Sequence, residues 1–267
     1  IGDTRFDGNA TASKSDWFGK VDPLTDAPGD GDGSSSSEAV GHNKLPTDMQ
    51  VIGAVQRTAN ENTVAMCAAG TMPGELHKLW KAGRPGSYHM EYGFSCMGYE
   101  IAGAMGIKMA EPERDVICFT GDGTYMMANS EMATAAMMGI SFTVVVTDNR
   151  GYGCINRLQM GTGGAEFNNL LDHAIGGENS NIDFAKHAES MGATSVKVGS
   201  IAELEKALAK RDSINGPYVV VIDTDPYPST EPGGTWWDVG VPEVSDRAEV
   251  NAAHDRYIKN KKTQRAD

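Results

Sequence analysis

The chain has 267 residues, 40% hydrophobic and 22% charged, enough for one large or two small domains with a sizeable buried core. Its formal net charge of −13 and sequence pI of about 4.9 argue against nucleic acid as a partner, because an acidic surface repels phosphate backbones. No apolar run approaches the roughly 20 residues that a membrane span needs, so no membrane partner is expected. The first residues, Ile1-Gly2-Asp3-Thr4-Arg5-Phe6-Asp7, lack the basic and apolar regions of a signal peptide.

Residues 1–45 read as a flexible linker. Pro28-Gly29-Asp30-Gly31-Asp32-Gly33 runs into Ser34-Ser35-Ser36-Ser37, a stretch too polar to offset its ordering entropy by burial. Its aspartates do not make a calcium loop, because the terminal Glu and the flanking helices are missing. One domain is expected over 46–252, followed by a tail over 253–267. Helix is expected over 48–60, strand over 62–68 and a loop over 70–74. A helix rich in small residues follows over 98–110, then a strand over 115–120, a helix over 130–138 and a strand over 140–147. Helix at 182–191, strand at 195–198, helix at 201–211 and strand at 218–223 complete the pattern. Strands alternate with helices, and several strands are apolar on both faces. The expected fold is therefore α/β, a doubly wound parallel sheet with helices on both faces. Ligands bind such sheets beyond the carboxyl ends of the strands.

The four cysteines, Cys67, Cys96, Cys118 and Cys154, form no CxxC pair, and three lie in or beside apolar runs. Buried thiols in a cytoplasmic protein are the expectation. The histidines show no HxxxH metal spacing. Trp236-Trp237 is expected to pack in the core or at a subunit contact.

Two strand ends carry chemistry. One reads Phe119-Thr120-Gly121-Asp122-Gly123-Thr124 and the other Thr147-Asp148-Asn149-Arg150-Gly151-Tyr152-Gly153. One helix separates the two strands, so parallel pairing puts both ends on the same side of the sheet. Asp and Asn side chains offer hard oxygens that suit Mg2+. Gly121 and Gly123 let backbone approach a phosphate, and the following helix start offers free N–H groups. Gly-Asp-Gly alone is a common turn. The second strand end, one βα unit later, is what makes it informative.

Together these segments resemble the GDG-to-NN fingerprint of thiamine-diphosphate enzymes of the acetolactate synthase and pyruvate decarboxylase superfamily. Asp148 stands where that family has its first Asn, and Asn149 matches the metal-ligand Asn. The resemblance implies thiamine diphosphate and Mg2+ as cofactors. It places the metal on Asp122, Asn149 and the carbonyl of Gly151. It assigns the diphosphate to the backbone of Gly123 and to Thr124, with Gly121 in the same turn and Gly70 and Thr71 on the far side. Met97 falls where the family has a bulky residue that bends the cofactor, and the carbonyl of Ser95 would accept from its 4′-amino group. His89, Glu91 and Tyr152 are candidate catalytic residues near the thiazolium, with structural hydrogen bonding as the competing reading.

A narrower likeness rests on Tyr88-His89-Met90-Glu91-Tyr92-Gly93-Phe94-Ser95-Cys96-Met97-Gly98-Tyr99-Glu100, on Asp148 through Gln159, and on Trp236 through Ser245. From about Thr47 to Ala252 the chain resembles the hydrolases of inositol catabolism that open a six-membered cyclic 1,2-dione. The resemblance implies C–C bond cleavage of a small polyol-derived dione, trihydroxycyclohexane-1,2-dione, to 5-deoxy-glucuronic acid. Such enzymes also use a glutamate from a pyrimidine-binding domain of the same or a neighbouring subunit. No segment here matches that domain, and the chain begins with Ile1. It is therefore expected to be a C-terminal piece of a homo-oligomeric enzyme, inactive alone. An acetolactate-synthase-like lyase or transferase domain stays open as an alternative, as does a non-catalytic nucleotide-binding or assembly domain. Ala69-Gly70-Thr71-Met72-Pro73-Gly74 does not supply the GxGxxG loop that the last would favour.

Overall fold

The computed structural model describes residues 45–91, 93–230 and 239–264. The linker expected over 1–45, apart from Leu45, and the Trp236-Trp237 pair lie outside the described residues.

Helix α1 spans Asp48–Thr58 and starts at a reciprocal cap. Thr47 Oγ1 accepts from the Gln50 N–H, and Gln50 Oε1 accepts from the Thr47 N–H, which satisfies two donors the helix cannot. Strand β1, Thr63–Cys67, leads into α2, Thr71–Leu79, and then into β2, Tyr88–Met90. Helix α3, Tyr99–Ala110, precedes β3, Asp115–Gly121, the short α4, Asp122–Met127, and α5, Glu131–Met138. Strand β4, Thr143–Asp148, is followed by α6, Gly153–Gly161, and α7, Phe184–Ser190. Strand β5, Thr194–Val198, α8, Ile201–Leu208, β6, Tyr218–Asp223, and α9, Ala248–Lys261, end the described chain.

The six strands form one parallel sheet in the order β2-β1-β3-β4-β6-β5. Period-two alternation divides it cleanly. Ala65, Cys67, Ile117, Phe119, Val145, Val220 and Ile222 face α1, α2 and α8. Val64, Met66, Cys118, Val144, Val146, Val219 and Val221 face α3, α4, α5 and α7. Apolar side chains cover both faces, which is why the Val-rich strands carry no polar face. Connections running toward the β2 edge use one helix layer, and those running toward β5 use the other. A single crossover hand requires this division. The doubly wound expectation holds.

Five of these helices and strands escaped the sequence reading, the short α4 among them. The expected loop at 70–74 is the first turn of α2. Gly70, at φ 95°, turns the chain into the helix, and Pro73 fits the first turn because its missing N–H would have no intrahelical partner. Strand β2 is a short edge strand, and α6 opens with a glycine. Helix α9 crosses residue 252, where the tail was expected to begin, and buries Val250 and Ala253.

Candidate functional site

Chain direction reverses between β1 and β3. The connection leaving β1 runs toward β2, and the one leaving β3 runs toward β4. The crevice beyond their carboxyl ends is the switch point of the sheet. Gly70 starts α2 on one side and Gly121 starts α4 on the other, and neither helix has a side-chain cap. Both therefore leave N–H donors free for a ligand.

Register brings the two chemistry-bearing turns together. Gly121 pairs with Thr147, so Asp122 and Asp148 leave the sheet side by side, with Asn149 one residue further. Parallel neighbours lie about 5 Å apart, within reach of one shared ion. Asp122 is 6% exposed and Asn149 7%. Asp122 Oδ2 accepts from the Gly151 N–H at 2.7 Å, which ties the second turn to the first. Asp122 Oδ1 and Asn149 Oδ1 are buried and have no hydrogen-bond partner. Orphaned buried oxygens are costly, and two on adjacent turns fit a hard divalent cation. Among the described residues no three His, Cys, Asp or Glu side chains gather as a metal site, so the fit relies on amide and carbonyl oxygens beside one carboxylate.

Burial, and then the neighbouring Asp148, push the Asp122 carboxyl up from 3.8 to about 7, while backbone N–H groups of Gly151 and Gly123 draw it down. Asp148 is itself raised, first by burial, and its Oδ1 accepts from the Arg150 N–H. Arg150 sits at φ 59° and Gly151 at φ 147°. The turn is anchored from outside: Tyr152 N–H donates to Asn169 O, Leu171 N–H donates to Arg150 O, and Gly151 bridges Leu170. A side chain at Gly151 would put its Cβ 2.4 Å from Asn169 O, so only glycine fits.

The remaining site residues sort by position. The Tyr152 ring lies over Gly123, where an added Cβ would come within 2.6 Å of Cε1. Thr124 is buried in the first turn of α4, and Thr71 opens α2. Ser95, at φ 52°, is exposed, and Met97 is half-buried just before the left-handed Gly98. His89, in the middle of the edge strand β2, stacks on Tyr99 and meets its hydroxyl at 3.2 Å through Nε2. Glu91 accepts from the Phe94 N–H at 3.0 Å and the Cys96 N–H at 2.6 Å. Those backbone bonds lower its carboxyl pKa, so both oxygens are already committed to shaping the 91–96 turn. That bonding favours a structural role for Glu91. Sequence reasoning missed Glu100, buried at 1% exposure in the second position of α3. Its signal was a charge inside a run of small apolar residues, which demands partners.

The cysteine expectation holds for Cys67 and Cys118, which are buried and free. Cys96 is exposed on the turn after β2, and Cys154 is half-buried in the first turn of α6; neither lies in a strand.

An open parallel sheet with two glycine turns at its switch point, and a carboxylate and an amide oxygen left unpaired between them, defines a ligand-binding α/β domain. The chain belongs to the thiamine pyrophosphate enzymes: the family described as "Thiamine pyrophosphate enzyme, C-terminal TPP binding domain" matches residues 68–222. It is 40% identical over 224 residues to 3D-(3,5/4)-trihydroxycyclohexane-1,2-dione hydrolase 2 of Bacillus cereus, covering 80% of this chain and 34% of that one. The hydrolase of the same name from Halalkalibacterium halodurans is 40% identical over 219 residues, covering 79% and 33%. The chain thus spans about a third of the length of these relatives. Its fold is shared with the thiamine diphosphate-dependent 4-hydroxybenzoylformate decarboxylase of Rhodococcus jostii RHA1, at a TM-score of 0.60 and 20% identity over 71% of this chain and 34% of that one.

Proposed function

We propose that this domain holds thiamine diphosphate through Mg2+ within a hydrolase that cleaves a C–C bond of a cyclic 1,2-dione. The observation that carries the cofactor reading is the pair of unpartnered, buried oxygens of Asp122 and Asn149 on adjacent turns. These two oxygens and the Gly151 carbonyl would hold Mg2+. The backbone of Gly121 and Gly123, with Thr124 beside them and Gly70 and Thr71 opposite, would hold the diphosphate. Thiamine diphosphate, when bound, supplies the electron sink that allows the bond beside a carbonyl to break. The chain's own residues position the reacting parts. Met97 would support the bend of the cofactor, and the Ser95 carbonyl would be an acceptor for its 4′-amino group. The Tyr152 ring lies over Gly123 and narrows the space beside it. His89 and Tyr152 offer hydrogen bonds to a hydroxyl-rich substrate, and Glu91 holds the turn that carries Ser95 and Met97.

Likeness to relatives named as trihydroxycyclohexane-dione hydrolases supports a polyol-derived dione as substrate. A pyrimidine-binding domain of the same or a neighbouring subunit completes the site, in a homo-oligomer. Met109, Met126, Met127, Met137 and Met138, exposed on α3, α4 and α5 with Met137 82% exposed, fit a surface that further chain covers. No helix among the described residues is long and apolar enough to cross a membrane. The test is calorimetry on the full-length protein with thiamine diphosphate and Mg2+ against NAD, followed by product analysis with the cyclic dione against pyruvate. Tight binding of thiamine diphosphate alone and ring opening of the dione are expected. NAD binding, or turnover of pyruvate only, overturns the proposal.

A further inference from the structure

We propose that Glu100 is a positioning residue: its carboxylate is a strut that holds the Ala69-Gly70 turn and the Met97-Gly98 turn at a fixed separation. This rests on the cofactor reading above, since these are the turns assigned to the far side of the diphosphate and to the bend of the cofactor.

The geometry is specific. Glu100 Oε1 accepts from the Ala69 N–H at 3.1 Å, and Oε2 accepts from the Gly98 N–H at 2.9 Å. Each oxygen therefore serves a different element, the end of β1 and the start of α3. Beside each bonded N–H the backbone is in a conformation that favours glycine: Gly70 has φ 95° and Gly98 has φ 98°. Neither helix start has a side-chain cap of its own, so the carboxylate supplies an order that local sequence does not. The Met97-Gly98 turn is also wedged from the other side, since a Cβ on Gly98 would meet Ala128 Cβ at 2.9 Å. One rigid junction thus joins the ends of β1 and α4 to the start of α3.

An apolar residue of Glu shape would fill the space but leave the Ala69 and Gly98 N–H groups without acceptors. A basic residue could not accept at all. Burial raises the Glu100 carboxyl pKa, and its backbone donors, including Ala69 and Gly98, draw it back. The chain keeps a costly buried acid where two ligand-facing turns must stay in register. A displacement of about 1 Å at such turns is enough to cost a cofactor its reactive geometry.

The test uses Glu100→Gln and Glu100→Asp in the full-length protein. Gln keeps the shape but turns an amide N–H2 toward one of the two donors. Asp keeps the charge but reaches only one of them. The measurements are calorimetric affinity for thiamine diphosphate with Mg2+, affinity for inorganic pyrophosphate with Mg2+, and the near-ultraviolet circular dichroism of the bound cofactor. Losing one charge-assisted hydrogen bond should weaken thiamine diphosphate by about 10- to 100-fold in Glu100→Gln. Pyrophosphate, which would meet the Gly70 and Gly121-Gly123 turns but not the Met97-Gly98 turn, should weaken much less, and the dichroic band should shrink. Glu100→Asp should fall between. Wild-type affinity and an unchanged band in both variants overturn the strut. So do equal losses for the two ligands, or a global loss of folding in both variants. Failure of the wild-type protein to bind thiamine diphosphate instead sinks the cofactor reading, a separate result.

Discussion

Replacing Asp122 by Asn should stabilise the ligand-free protein while abolishing its response to cofactor. The Asp122 carboxyl is 6% exposed and pushed from 3.8 to about 7, first by burial and then by Asp148. Holding it ionised at pH 8 costs about 4 kcal/mol relative to the unfolded chain. Side-chain relaxation and water entry reduce this to about 2 kcal/mol of measurable effect. The sign follows from the direction of the shift. A carboxyl raised in the folded state contributes stability that is full below about pH 4 and is lost as pH rises through about 7. Wild-type stability should therefore fall across that window, and the Asn variant should lack this component of the fall. Asn keeps an oxygen for the Gly151 N–H, now bonded at 2.7 Å, so the turn survives. The assay is urea unfolding at pH 5 and pH 8, with and without thiamine diphosphate and Mg2+. Ligand at a hundredfold excess over Kd should add about 2.7 kcal/mol to the wild type and nothing to the variant. A variant less stable than wild type at pH 8 without ligand, or one that keeps the ligand response, refutes the reasoning.

Gly123→Ala should weaken cofactor binding by about tenfold or more, because its Cβ would lie 2.6 Å from the Tyr152 ring and push that ring away; pairing it with Tyr152→Ala should restore part of the affinity, and no recovery would disconnect the two. Thiol labelling at pH 8, followed by mass spectrometry, should modify exposed Cys96 first and Cys154 more slowly. Cys67 should stay unmodified, since burial pushes its thiol up to about 12, and Cys118, raised by burial well above its ordinary range, should behave the same way. Native-state labelling of either buried thiol would contradict the packing described for β1 and β3.

The fold was legible in the sequence wherever burial leaves a pattern. Val144-Val145-Val146 and Val219-Val220-Val221 announce strands buried on both faces, and their alternation with helices implies a parallel sheet. The candidate cofactor turns were legible because glycine beside Asp122, and Asn149 one βα unit later, stand at the ends of two strands. Where local signals conflict, the reading failed. Pro73 and Gly74 look like a loop, yet they lie in the first two turns of α2. Residues 88–90 lack a strand pattern and pair only because β1 lies beside them.

Residue types and spacing could nominate Asp122, Asn149 and Gly151 as a set. Only the register of β3 on β4 decides that the Gly151 N–H meets Asp122 and that two oxygens are left without partners. Glu91 and Glu100 are alike on the page of the sequence. In space one is half-exposed and shapes its own turn, while the other is buried and joins two elements 31 residues apart. The physical reason is that a side chain's role depends on how much water it keeps and which donors it faces, and both are set by elements distant in the chain.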